Sequence, residues 1–155
     1  MSASTGSRTC DSLDLVTEFS ISVHIDASPE RVWDVMLDIE RWAEWTRSVT
    51  SIKQLEPGVL RVGSRARIRQ PRLPPTVWRV TEIDERGFTW VAGAGPARTV
   101  ASHWVEADGD GSRATLSLRF DGFLGPFVAR LTKNINDRYL AMEAEGLKAR
   151  SEGRR

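Results

Sequence analysis

Few side chains in this sequence of 155 residues carry the chemistry of a nucleophile, a base or a metal ligand. The histidines are His24 and His103, and the single cysteine is Cys10, in a polar N-terminal stretch. A zinc-type centre needs about three or four converging ligands. These residues are too scattered to supply them, so no metal is expected. No glycine-rich phosphate loop stands between a strand and a helix, because "GAGP" at 93–96 runs from strand to strand, and no nucleotide cofactor is expected. His24 lies on the polar face of its strand. His103 and its neighbour Trp104 must face opposite sides of theirs. Alternation leaves open which faces inward, since Thr99, Ala101 and Val105 compete with Val100 and Ser102. No catalytic set is therefore assigned.

One charged residue stands apart. At about 100° per residue, Arg138 projects close to Leu131, Ile135 and Met142 on one helical face. A guanidinium there must reach solvent, pair with an acid such as Glu82 or Glu106, or face a wet pocket and anchor a carboxylate, phenolate or enolate.

Tryptophan is the other conspicuous feature, with six in the chain. Trp33, Trp42 and Trp45 fall in "ASPERVWDVMLDIERWAEW" at 27–45, which opens with a helix start signal: Ser28 to cap, Pro29 at the first helical position. Val32, Val35, Met36 and Ile39 have the spacing of one buried helical face. Two short helices broken near Asp38 are predicted. Trp33 belongs to the inner stripe of the first.

The elements around this stretch follow from periodicity. Phe19, Ile21, Val23 and Ile25 alternate with polar residues over 18–26, a half-buried strand. Further strands are predicted near 50–55, 61–70, 76–83, 87–93, 98–107 and 113–121. They are separated by turn chemistry at "EPG", "PRLPP", "DERG", "GAGP" and "DGDG". After "GFLGP" the period becomes helical. Leu124, Val128, Leu131, Ile135, Met142 and Gly146 align on one face of a helix running to about Arg150. Successive hairpins with segregated helices make the class α+β: a bent antiparallel sheet of about seven strands gripping one long helix, with a possible pocket where the two diverge. Residues 1–15 are predicted to be a disordered tail, 16–150 one domain, and 151–155 a C-terminal tail.

The charge balance is +1, and alternating Arg65, Arg67 and Arg69 suit the wet face of one strand better than a basic stripe, so no nucleic acid is expected as partner. No apolar run is long enough to span a bilayer. No apolar signal region opens the chain, and a cytoplasmic location is expected.

This order of elements resembles the helix-grip fold of the START and birch-pollen-allergen superfamily, SRPBCC, and the wording resembles its polyketide cyclase/dehydrase and lipid-transport branch. The carriers are the 27–45 stretch, "VWRVTEI", "FTWVAG", "HWVEADGDGSRATL" and "EAEGLKARSE", spread from about Glu18 to Leu147. The resemblance implies a pocket lined by tryptophans after the first helix and on two strands, which here are Trp42, Trp78 and Trp104. The pattern adds Trp90, and places Ile68, Leu118 and Phe120 opposite Leu131, Ile135 and Arg138. In similar aromatase/cyclases, strand arginines orient polyketide carbonyls and phenols. Here Thr89 and Val91 occupy the strand where such an arginine would stand.

Superfamily members include carriers, enzymes and interaction modules on one scaffold. An interaction module needs a large exposed apolar patch, whereas the outward positions assigned here, such as Ser20, Arg65, Arg79 and Arg119, are polar. The expected function is binding or carriage of a small hydrophobic ligand, aromatic, polyketide-like or lipid, between the sheet and the C-terminal helix. A cyclase, aromatase or dehydratase-like enzyme without metal or nucleotide cofactor is the alternative, and a protein-interaction module with a collapsed pocket the second alternative.

Overall fold

The alternation over Phe19, Ile21, Val23 and Ile25 produces β1, Glu18–Ile25. The computed structural model describes residues 17–154, so Cys10 and the predicted tail at 1–15 lie outside the described residues. After β1, Ser28 accepts a hydrogen bond from the Arg31 N–H at 3.2 Å and Pro29 occupies the first helical position, starting α1, Pro29–Leu37. A 3-10 helix follows at Ile39–Glu44. Asp38 stands between them with non-helical backbone angles. This is the predicted break.

Six strands come next: β2 Ser51–Gln54, β3 Arg65–Arg69, β4 Thr76–Ile83, β5 Gly87–Ala94, β6 Ala97–Asp108 and β7 Gly111–Asp121. Each neighbouring pair is antiparallel, in the order β1-β7-β6-β5-β4-β3-β2. β3 begins four residues later than the predicted 61. Residues 61–64 form a turn, with Gly63 at φ 90 and the Arg61 N–H donating to Ser64 Oγ at 3.0 Å. A side-chain acceptor offers the backbone an alternative to the strand ladder there.

The sheet closes around α2, Gly125–Ser151, which extends one residue past the predicted end. Its phase differs from the predicted one. The inward face carries Ala129, Asn136, Leu140, Ala144 and Leu147, centred roughly 140° around the helix from the predicted stripe, of which Val128, on the cavity, and Gly146, against Trp45, still face the protein. Leu131 is 69% exposed, and Phe127 and Phe123 are 62% and 82% exposed. Small residues explain the rotation. Ala129 is buried with Phe19 and Phe120, and Ala144 packs into the main core. A Cβ at Gly146 would overlap the Trp45 carbonyl oxygen. The helix approaches the rest of the protein most closely along its small side chains, with Leu140 and Leu147 beside them, while Phe127 and Leu131 remain outside.

The C-terminal end of α2 is tied to β1. Lys148 Nζ donates to the His24 carbonyl at 2.8 Å and to Glu152 Oε1 at 2.6 Å, and the Asp26 N–H donates to the same carboxylate at 2.9 Å. The Lys148 ammonium, then the Asp26 amide, hold the Glu152 carboxyl down to about 2.

Candidate functional site

The main core is aromatic at its centre. Trp42, brought in by the 3-10 helix, is 2% exposed and donates its Nε1–H to the Met36 carbonyl at 3.0 Å. Its ring lies 5.6 Å from Trp90 and 6.3 Å from Phe88, and Trp78 lies 5.7 Å from Trp90. These rings do not fill the space between sheet and helix. A cavity of about 350 Å³ remains, within the range of small-molecule sites. Trp42, Ile68, Trp78, Trp90, Leu118 and Phe120 all line it. From α2 come Val128, Thr132, Asn136, Tyr139, Leu140 and Glu143, and the β3–β4 loop adds Leu73 and Pro74.

Four residues expected at this pocket lie elsewhere. Leu131, Ile135 and Arg138 are off the cavity wall because of the helix phase, Ile135 half-buried and Arg138 exposed. Arg138 is therefore neither a ligand anchor nor a buried partner of Glu82 or Glu106. Trp104 is 38% exposed on the outer face of the sheet. The reason lies in its cross-strand neighbour, since Trp104 pairs with Gly87 and its indole occupies the space where a Gly87 Cβ would stand. An aromatic ring over a strand glycine covers backbone that would otherwise be bare.

With Trp104 outward, His103 must turn inward. Its Nε2 is 2.7 Å from Glu143 Oε1, with the two side chains only 6% and 13% exposed. The imidazole stacks on Phe88, with centroids 4.8 Å apart and planes at 12°, and Trp42 lies 5.0 Å away. His103 and Glu143 both border the cavity. Such a pair can hold a proton and exchange it with a bound molecule. Glu143 is not among the residues the sequence points to. Its spacing from Leu140 and Leu147, three and four residues away, places it on their face of the helix, but that face becomes recognisable only once the helix phase is known.

Several polar groups of the wall are engaged within the protein. Asn136 Nδ2 donates to Thr132 Oγ1 at 2.8 Å, and the Thr132 hydroxyl donates to the Val128 carbonyl at 2.7 Å. Gln70 Nε2 donates to the Ser48 carbonyl at 3.1 Å. The Tyr139 hydroxyl donates to the Pro71 carbonyl, fastening α2 to the β3–β4 loop.

Among the described residues, no group of three or more His, Cys, Asp or Glu side chains is placed to hold a metal ion. No helix there is long and apolar enough to cross a membrane.

The family model described as polyketide cyclase / dehydrase and lipid transport matches residues 16–152. Solved structures with this architecture share little sequence. The Zhui aromatase/cyclase from Streptomyces sp. R1128 superposes with a TM-score of 0.69 at 16% identity, over 87% of this chain and 93% of that one. A hypothetical protein from Helicobacter pylori gives 0.74 at 15% identity, over 97% of each chain. Ara h 8.0201 gives 0.67 at 11% identity, over 88% of this chain and 97% of that one. No curated protein matches the sequence. At these identities the structural likeness establishes the helix-grip fold alone.

Proposed function

The chain belongs to the polyketide cyclase/dehydrase and lipid transport family, and we propose that it binds a small, flat, largely apolar molecule in the cavity between the sheet and α2. The observation that carries this is the open cavity of about 350 Å³ walled by Trp42, Trp78 and Trp90. Indole rings offer broad apolar surfaces to aromatic or polycyclic ligands. The open cavity favours this over an interaction module with a collapsed pocket. The exposed Phe127 and Leu131 belong to a different face of α2, and the exposed Phe123 precedes it.

Tryptophan fluorescence on titration with a neutral polycyclic such as naphthol tests the proposal. Quenching is expected, together with stabilisation of about 2.7 kcal/mol at a hundredfold excess over Kd. Trp104→Phe should leave the quenching intact, and Trp78→Phe should reduce it. No quenching and no shift in melting temperature at saturation would end this reading.

The His103–Glu143 pair favours a second reading, acid–base catalysis on the bound molecule. Glu143 would take a proton from an enolisable carbon, with His103 Nε2–H fixing the carboxylate. Tetralone in D2O provides the test, because its α-hydrogens exchange when a base removes a proton and a deuteron returns. Acceleration over buffer, lost in Glu143→Gln, is the expected result if the pair is catalytic. Exchange at the buffer rate with tetralone bound would leave a carrier.

A further inference from the structure

Charge is distributed unevenly over the cavity wall. Among the described residues, no lysine, arginine or aspartate borders it, and Glu143 is the single carboxylate. One oxygen of Glu143 is 2.7 Å from His103 Nε2, and the other has no hydrogen-bond partner among the described residues. His103 Nδ1 is buried without a partner. In a neutral imidazole that atom is a lone pair, whereas in an imidazolium it is an N–H buried with no acceptor. The unmatched donor is the rarer and costlier case. An Nδ1 left as a lone pair leaves Nε2–H to donate to Glu143, the one acidic side chain on the wall among the described residues.

The side-chain donors of Gln70, Thr132, Asn136 and Tyr139 already serve protein acceptors, which leaves the Thr99 and Ser117 hydroxyls and the Trp78 and Trp90 N–H groups as neutral donors on the wall. The ionisable acceptor the cavity offers a ligand is the Glu143 carboxyl, with no cation beside it on the wall among the described residues. Beside it stand the indoles of Trp42 and Trp90, 5.0 and 5.9 Å from the His103 ring. Aromatic faces attract cations, more strongly where water is excluded.

We propose that the molecule bound here is an aromatic amine whose protonated nitrogen sits against Glu143 and the faces of Trp42 and Trp90, and that carboxylates are rejected; this rests on the ligand-binding reading above. An ammonium taken out of water needs an opposite charge, and Glu143 supplies one. A carboxylate would meet a like charge with no cation on the wall to offset it.

Three ligands on one ring system test the assignment by calorimetry near neutral pH: naphthylethylamine, naphthylethanol and naphthylacetate. The amine is expected to bind about tenfold or more tighter than the alcohol, and the acetate about tenfold or more weaker, the scale of one charged hydrogen bond. Glu143→Gln keeps an acceptor for His103 and removes the charge, so the amine should fall to the affinity of the alcohol. An amine no tighter than the alcohol, or an acetate equal to the amine, overturns the proposal while the alcohol still reports a ligand site. Failure of all three to bind, the neutral alcohol included, overturns the ligand-binding reading as well.

Discussion

Trp42→Ala is expected to destabilise the protein by about 3–5 kcal/mol, the usual cost of truncating a buried tryptophan. The indole is 2% exposed and touches Trp45, Phe88, Trp90 and His103 at ring separations of 5.0–6.3 Å. Its removal enlarges a cavity that is already open on one side, so the surrounding side chains have little means to close over the gap. It also strips the Met36 carbonyl of its Nε1–H donor at 3.0 Å, at the end of α1 where that carbonyl has few other partners. Denaturant unfolding measures the loss as a lower midpoint at unchanged slope. A loss below about 1 kcal/mol, within the range of a surface substitution, would show that Trp42 does not hold the core together.

The second large effect contrasts two leucines on α2. Leu147→Ala should cost about 2–5 kcal/mol, because the side chain is 1% exposed within the main core. Leu131→Ala, at 69% exposure, should change stability by no more than about 0.5 kcal/mol. The predicted stripe through Leu124, Leu131 and Ile135 requires Leu131→Ala to be the costly variant. Thermal unfolding of the two proteins side by side therefore reads the rotation of the helix directly, and equal losses would contradict the burial described here.

Much of the architecture is legible in the sequence. Period-two alternation marks β1 and the run of hairpins, and the turn-forming clusters separate them at nearly the observed places. Ser28 and Pro29 announce α1, and Asp38 marks its end. These signals are local: they depend on backbone preferences and on the difference between a wet and a dry side of one element. The strand residues of the pocket, Ile68, Trp78, Trp90, Leu118 and Phe120, follow from the same alternation, and all border the cavity.

Two features of the site are not legible in the sequence. On α2 apolar spacing points to a face that lies largely outside, and on β6 alternation leaves the inward face open while the family resemblance points to Trp104. On α2 Leu140 and Leu147 do face inward, but beside them stand small or polar residues, Ala129, Asn136, Glu143 and Ala144, where close approach to the sheet and a partly open cavity select size and hydrogen bonding over apolar area. On β6 the larger apolar residue, Trp104, faces outward over Gly87, a neighbour fixed by strand register. That register turns His103 toward Glu143, forty residues away in the chain. Sequence alone determined which segments are strands and which are helices, since those choices are written in local periodicity. The rotation of α2 and the face of β6 were decided by the tertiary structure. The His103–Glu143 pair and the charge of the cavity depend on both, because they arise only from contacts between segments distant in the chain.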